Sequence, residues 1–195
     1  MSKIDELIFK LCPEGVVFKK IDDVTMIKRG DRITKRDLLE HGKYKVISGG
    51  TEPMGYYDKY NREEKTVTIS SYGYAGYVNF IEEKFWANDV CLCIFPKEII
   101  NNKYLYYVLK NLQSYFFSKT TKAIPDHLPT EIIKETSIPV PPMEVQDEIV
   151  HILDDFTLLS AELSAELSAE LKARQKQYEY YRDKLLTFKE LANGE

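Results

Sequence analysis

Residues 144–191 read EVQDEIVHILDDFTLLSAELSAELSAELKARQKQYEYYRDKLLTFKEL, and this stretch decides the architecture of the chain. It contains neither proline nor glycine, and Pro142 stands just before it, where the beginning of a helix tolerates proline. Glu144, Asp147 and Glu148 would lie near the helix N-terminus, where the helix dipole stabilises negative charge. An unbroken helix over this range would be about 72 Å long at 1.5 Å per residue. A domain built from the preceding residues cannot bury such a helix along its whole length, so we expect it to project and to pack against a partner.

The middle of this stretch is a tandem four-residue repeat. Leu-Ser-Ala-Glu occurs at 159–162, 163–166 and 167–170, and Leu171 ends the series. Four residues turn an α-helix by about 400°, so the leucines drift by about 40° per repeat. The repeat predicts a spacer whose length changes by whole turns, and the alternative is a solubilising helix of low complexity. Apolar spacings of three and four residues on both sides favour coiled-coil-like packing through Phe156, Leu159, Leu163, Leu167, Leu171, Tyr178, Tyr181, Leu185 and Phe188.

Charge is divided unevenly along the chain. The formal net charge is −4, which alone argues against a nucleic-acid partner. Residues 1–143 carry 21 Lys and Arg against 19 Asp and Glu, a balance of +2, whereas residues 144–195 carry 6 against 12, a balance of −6. The acidic excess therefore belongs to the helix. The dense basic run at 28–36 predicts phosphate contacts, with a solvated loop as the alternative, through Lys28, Arg29, Arg32, Lys35 and Arg36.

The first 143 residues alternate short apolar runs with turn residues. A short helix is predicted over 4–11, and a longer one follows Asn101 or Asn102 and continues to Phe117. Strand patterns occur at 16–21, 44–48, 65–70, 78–80, 89–95 and 136–140, and those between 66 and 95 predict a β-meander. We therefore predict an α+β fold, with a mixed, β-rich domain with a few helices over 1–143. One long projecting, coiled-coil-like C-terminal α-helix follows over 144–195.

No catalytic or metal-binding signature is present in the sequence. It lacks a glycine fingerprint for a dinucleotide or S-adenosylmethionine and a Walker A motif, and its three histidines have no ligand spacing. Cys91 and Cys93 share one face of a predicted strand, which indicates two core residues more than half of a metal site. No apolar run could span a membrane, and the acidic N-terminus is unlike a signal peptide. These features predict a non-catalytic cytoplasmic protein with no metal and no cofactor of its own.

Residues 137–150, SIPVPPMEVQDEIV, resemble the IP-x-PP-x-x-x-Q-x-x-I junction between recognition domain and conserved helix in type I restriction-modification specificity (S, HsdS) subunits. The Ser-Ala-Glu-Leu units are similar to the Thr-Ala-Glu-Leu-type repeats of that helix. Weaker similarity lies in ISGG at 47–50, GYY at 55–57 and ISSYGYAG at 69–76. The resemblance covers essentially the whole chain. Family members usually carry two such domains and two helices, so this chain is expected to be a half-subunit or part of a longer chain.

The resemblance implies a target-recognition domain that reads one part of a split double-stranded DNA target, and a helix that docks methyltransferase (M) subunits. Those subunits methylate adenine with S-adenosylmethionine, and restriction (R) subunits join them for cleavage. By implication, the chain forms a homodimer through its helix and reads an interrupted palindrome. One added repeat unit would then lengthen the gap by roughly 1–2 base pairs.

Base contacts are expected from the polar and glycine-rich loops of the domain, although most tyrosines of the chain are better read as core or sheet-face residues. The candidates are Ser48, Thr51, Tyr72, Tyr74, Lys119, Thr120 and Lys122. Two other functions stay open at this point. One is a catalytic DNA methyltransferase or nuclease fragment, and the other is a coiled-coil adaptor with no role on DNA.

Overall fold

A computed structural model of the chain describes residues 2–121 and 124–188. The chain divides into two compact units, Met1–Val150 and His151–Glu195. The elements in chain order are α1 (Lys3–Leu11), β1 (Val17–Lys20), α2 (Ile21–Val24), β2 (Thr25–Arg29), β3 (Tyr44–Ile47), β4 (Gly55–Tyr57), β5 (Thr66–Ser70), β6 (Val78–Ile81), β7 (Phe85–Ala87), β8 (Cys91–Pro96), α3 (Asn102–Asn111), α4 (Gln113–Ser118), α5 (Thr130–Glu135), β9 (Ser137–Val140) and α6 (Met143–Leu186). The predicted α+β class with one long C-terminal helix is confirmed.

Three small sheets build the first unit. The largest has the strand order β2-β8-β5-β6, with every neighbouring pair antiparallel. A second sheet, β4-β3-β7, pairs β3 antiparallel with β4 and parallel with β7. The third is the two-stranded ribbon of β1 and β9. β5 is buried along its whole length because it lies inside the largest sheet, and its sequence TVTIS supplies the β-branched residues that such a position favours.

The main core lies between the largest sheet and the helices. Val67 and Ile69 of β5 and Leu92 and Ile94 of β8 pack with α3, α4 and α5, whose fully buried members are Leu105, Leu109, Phe116 and Ile133. Gly76 adopts a φ of +91°, and a Cβ there would lie 3.1 Å from the backbone of Phe116. This left-handed glycine lets the turn before β6 approach α4 closely.

Several local predictions need correction. The meander over 66–95 is wrong, because β7 leaves the largest sheet and pairs parallel with β3, while β8 pairs with β5. Ile21 does not extend the first strand but begins α2, and its side chain is fully buried in the main core. The single helix expected after Asn101 is two helices, since Leu112 ends α3 and precedes α4. α5 was not predicted.

α6 is a continuous helix of 44 residues, about 66 Å long at 1.5 Å per residue. From Asp155 to Phe188 every residue is exposed, including the leucines of the repeat. The serines of the repeat bond within the helix: Ser164 donates to the Ser160 carbonyl at 2.7 Å and Ser168 to the Ser164 carbonyl at 2.8 Å. The hydroxyl groups of the second and third units are therefore satisfied by the serine carbonyl of the unit before. Among the described residues, no helix combines the length and apolar character needed to cross a membrane.

Candidate nucleic-acid interface

The basic run begins at the end of β2 and continues into a loop whose backbone is held closely. Gly30 lies against the chain after β7, where an added Cβ would be 2.1 Å from the Ala87 carbonyl oxygen. The Gly30 N–H donates to the Cys91 carbonyl at 3.0 Å, and the Asp31 N–H donates to the Ala87 carbonyl at 2.9 Å. Only glycine permits this approach, so Gly30 fixes the course of the backbone that carries the basic side chains.

Two arginines of the run are tied to one acidic residue. The Nη1 of Arg29 donates to the Asp89 carbonyl at 3.3 Å, and the Nε of Arg32 lies 3.9 Å from the Asp89 carboxylate. Lys28 lies over the ring of Phe95, with its Nζ 5.8 Å from the ring centroid. All three cationic side chains are exposed, so they stay available to an anionic partner.

Lys35 and Arg36 are carried on a turn that Asp37 closes. The Asp37 carboxylate accepts the backbone N–H and the hydroxyl of Thr34, both at 2.7 Å. The same two bonds, the backbone one first, lower the pKa of Asp37. The carboxylate is engaged with Thr34, and the neighbouring Lys35 and Arg36 are exposed. The structure thus presents these two cations outward from an ordered turn.

We call the loop that follows β2 and carries the rest of the basic run at 28–36 the basic loop. Asn88 joins this basic loop to the loop that follows β3. It is only 5% exposed. Its Oδ1 accepts the Ile33 N–H at 3.1 Å, and its Nδ2 donates to the Ile33 carbonyl at 3.3 Å and to the Ser48 hydroxyl at 3.4 Å. The Asn88 N–H donates to the Ile47 carbonyl at 2.8 Å. One side chain thereby connects a predicted phosphate-binding loop with a predicted base-reading residue. Sequence reasoning missed Asn88, and the signal was an amide directly after a short apolar strand.

We expect Asn88→Ala to lower the free energy of unfolding by about 2–4 kcal/mol, because it leaves the partly buried N–H and carbonyl groups of Ile33 without these partners. Urea denaturation of the full chain measures the change. Asn111→Ala, at an exposed position at the end of α3, is the matched control and should change stability by less than about 0.5 kcal/mol. Equal losses in the two variants would contradict a connecting role for Asn88.

The loops at 48–50 and 71–74 also meet. A Cβ on Gly49 would lie 2.1 Å from the Tyr72 carbonyl oxygen, and the Tyr74 N–H donates to the Gly49 carbonyl at 2.7 Å. Ser71 donates to the Val90 carbonyl through its N–H at 2.8 Å and its hydroxyl at 2.9 Å. These contacts place Ser48, Tyr72 and Tyr74 in one cluster of loops, next to the segment that holds Asn88.

A third loop is attached to this cluster through His127. The rings of Tyr72 and His127 stack with centroids 4.3 Å apart and an interplanar angle of 19°. The Thr121 N–H donates to the His127 carbonyl at 2.8 Å, and the Leu128 N–H donates to the Ser71 carbonyl at 2.9 Å. One face of the half-buried Tyr72 ring is therefore occupied by His127, whereas the Tyr74 side chain is exposed.

The remaining predicted base-reading residues are placed less uniformly. Lys119 lies over the Tyr115 ring at 5.4 Å, and the Thr120 hydroxyl donates to the Phe117 carbonyl at 3.0 Å. Thr51 lines a separate cavity of about 550 Å³ that Lys45 also lines. Lys122 lies outside the described residues. The DNA role of each of these residues stays a prediction.

Cys91 and Cys93 are core residues, as predicted. Both are buried in β8 and neither is in a disulfide. Hydrogen bonding to Cys93, together with burial, holds the pKa of Cys91 well above its usual value, so this thiol is protonated at neutral pH. Across residues 2–121 and 124–188, no group of three or more His, Cys, Asp or Glu side chains is arranged to hold a metal ion.

The predicted packing residues of α6 lie on an open surface in the second unit. The repeat leucines, Leu159, Leu163, Leu167 and Leu171, are between 61% and 68% exposed. Phe156, Tyr178, Tyr181 and Leu185 are exposed as well, and so is Phe188, which lies beyond Leu186, the last residue of α6. Ile152, Asp155, Phe156 and Leu159 line a shallow hollow of about 310 Å³. An exposed apolar series of this length is unusual for a helix that stays in water.

Comparison with known proteins places the chain in a family. Residues 13–173 match the family described as "Type I restriction modification DNA specificity domain". A putative type I restriction enzyme specificity subunit of Haemophilus influenzae is 38% identical over 190 residues, which cover 90% of this chain and 47% of that protein. A putative type I specificity subunit of Mycoplasma pneumoniae is 38% identical over 174 residues, covering 86% of this chain and 46% of that protein. The chain thus spans about half the length of these relatives.

The fold agrees with a solved structure of the same kind. The crystal structure of a type I restriction-modification system S subunit from M. genitalium superposes with a TM-score of 0.71 at 23% identity, covering 82% of this chain and 44% of that chain. At this identity the likeness supports the fold alone. The matched range includes the basic loop, the loop cluster, the junction and the repeat, so the resemblance drawn from the sequence is confirmed. The chain belongs to the type I restriction-modification DNA specificity domain family, whose members are non-catalytic DNA specificity subunits.

Proposed function

We propose that residues 1–143 read one half of a split DNA target, and that residues 144–195 pair with a second copy of the chain and dock the M subunit. The complete target is then an interrupted palindrome. The observation that carries this proposal is the exposed apolar series of α6, because four leucines at one-turn spacing lie open to solvent in the chain alone. Restriction (R) subunits join this complex for cleavage, and the compartment is the cytoplasm.

DNA recognition is divided between two sets of loops in this proposal. Phosphate contacts from Lys28, Arg29, Arg32, Lys35 and Arg36 orient the domain on the duplex, while polar groups of the loop cluster reach base edges. Asn88 supports the division, because it contacts both Ile33 in the basic loop and Ser48 in the loop cluster. A single rigid support keeps the two kinds of contact in register.

The helix supplies the contact between copies. Burying an exposed leucine side chain contributes roughly 1.5–3 kcal/mol. In a two-fold symmetric pair each repeat leucine is used twice, once from each copy. The acidic balance of residues 144–195 repels DNA, which keeps the helix away from the duplex and leaves it to protein partners.

We expect the chain in solution to have twice its monomer mass of 22.7 kDa. Replacing Leu163 and Leu167 by glutamate should yield the monomer, because it places charges in the buried seam. Ala161→Glu with Ala165→Glu adds the same charge on the face of the helix opposite the leucines and should leave the dimer in place. Light scattering at several concentrations measures the mass. A concentration-independent mass of 22.7 kDa for the unmodified chain would sink the homodimer proposal.

Methyl transfer is assigned to the M subunit and not to this chain. With labelled S-adenosylmethionine and duplex DNA, the chain alone should transfer no label, and the chain with its M subunit should label adenine. Turnover by the chain alone would support an enzyme fragment instead. Absence of DNA binding by both the chain and its complex with the M subunit would support a coiled-coil adaptor.

A further inference from the structure

Gln146 is a buried amide in the first turns of α6. Its side chain is 0% exposed. The Nε2 donates to the carbonyl oxygens of Ile99 at 3.0 Å and Pro141 at 2.8 Å, and the Oε1 accepts the Asn101 N–H at 2.8 Å. Both amide protons and one acceptor site are thus used by backbone groups from two segments of the domain.

Asn101 adds a second connection at the same place. It caps α3, since its Oδ1 accepts the N–H groups of Lys103 at 2.8 Å and Tyr104 at 3.1 Å. Its Nδ2 donates to the Asp147 carboxylate at 2.8 Å. The cap residue of α3 therefore binds two consecutive residues of α6: the Asn101 backbone N–H binds Gln146, and the Asn101 side chain binds Asp147.

The opposite side of the same turns is held by α1. Lys3 pairs with Glu148 at 2.5 Å, and Glu148 is buried apart from a small exposed fraction. Val145 is buried as well. The first turns of α6 are thus fixed to the domain by hydrogen bonds, an ion pair and packing.

A small change in the angle at the base of a long helix produces a large displacement at its far end. A tilt of about 5° at the base of a helix about 66 Å long displaces its far end by roughly 6 Å. That displacement is almost the rise of two base pairs, at 3.4 Å each. A helix can set a fixed gap between two recognition domains only if its base is held more tightly than this.

We propose that Gln146 is the positioning residue that sets the starting point of the spacer, and that its three hydrogen bonds restrict the complex to one gap length. This inference rests on the proposed function. Gln146 touches no DNA in this scheme and acts through the helix that it holds. Its loss should relax the gap without changing the bases that each half reads.

Methylome sequencing of cells that carry the chain and its M subunit tests this. Gln146→Met keeps the size of the side chain and removes all three bonds. We expect unchanged half-target bases, with methylation at gaps one base pair longer or shorter raised by about tenfold relative to the unmodified chain. Gln175→Met, at an exposed position of α6 with one 3.5 Å contact to Glu179, should keep the single gap.

If Gln146→Met does not fold, a milder pair of variants at Asp147 tests the same inference. Asp147 is exposed, so Asp147→Ala removes only the bond from Asn101, whereas Asp147→Asn keeps the acceptor oxygen. Asp147→Ala should raise off-gap methylation by about threefold, and Asp147→Asn should restore the single gap. A merely destabilised subunit would give fewer methylated sites at the same gap.

Outcomes separate this inference from the function on which it rests. One unchanged gap in Asp147→Ala and in any folded Gln146→Met overturns the positioning role and leaves the proposed function standing. Methylation by the unmodified chain without a fixed gap overturns both.

Discussion

Reversing the charge of Lys35 and Arg36 with glutamate is expected to weaken DNA binding by at least about a hundredfold at 0.15 M salt. Each lost phosphate contact lowers the slope of log affinity against log salt by about 0.9, and two contacts at this ionic strength account for roughly thirtyfold. Repulsion between the new carboxylates and the phosphates supplies the rest. The turn itself should persist, since Thr34 and Asp37 make its bonds.

Fluorescence anisotropy of a target duplex, titrated with the chain and M subunit at several salt concentrations, measures both affinity and slope. Lys10→Glu with Lys19→Glu is the matched control, because these exposed lysines lie in α1 and β1 and the net charge changes equally. We expect the control to lose less than about threefold. Equal losses in the two double variants would mean that total charge, and not the basic loop, governs binding.

Inserting one Ser-Ala-Glu-Leu unit after Leu171 should move the complex to a target whose gap is about 1–2 base pairs longer, and methylation of the original target should be lost. The unit adds about 6 Å and turns the distal part of the helix by a net 40° or so, which preserves its packing face. The inserted serine finds its carbonyl acceptor one turn back, as Ser164 and Ser168 do.

A two-residue insertion is the sharper control for this change. It adds about 3 Å but rotates everything downstream by about 200°, so Tyr178, Tyr181 and Leu185 would face away from their partner. We expect it to abolish assembly and methylation altogether. Methylome profiles of the two insertions would contradict a spacer role if the four-residue insertion left the gap unchanged, or if both insertions behaved alike.

The long helix could be predicted because its signal is local. Absence of proline and glycine, acidic residues near its beginning and a four-residue apolar spacing all act within a few turns. The burial of the two cysteines of β8 could also be predicted, since their i, i+2 spacing in an apolar run places them on one face of a buried strand. The four-residue repeat and the junction at 137–150 were together sufficient to predict the family.

Strand partners were not predictable in the same way. Phe85–Ala87 is three residues long, and nothing in it favours parallel pairing with β3 over antiparallel pairing with β8. Ile21 continues an apolar run and reads as strand, yet its burial in the core and the following acidic pair give a helical turn. These choices are made by contacts between residues far apart in sequence.

The loops of the candidate site could be predicted from the sequence, but the contacts that hold these loops together could not. Charge density identified the basic loop, and glycine spacing identified the loops around Gly49 and Gly73. Asn88 and His127 were missed as supports, because an amide after a short apolar strand is a weak signal and a stacked imidazole has no sequence pattern of its own. Gln146 belongs to the junction motif, but the motif alone does not predict the three hydrogen bonds that its side chain makes in the fold.

Methylome sequencing of cells that carry the unmodified chain with its M subunit is the most direct test of the central claim, that two copies read one target symmetrically. We predict methylated adenines in both halves of an interrupted palindrome with a single gap length, and loss of this pattern when the chain is deleted. A methylated target with two unrelated halves, or methylation that does not depend on the chain, would contradict it.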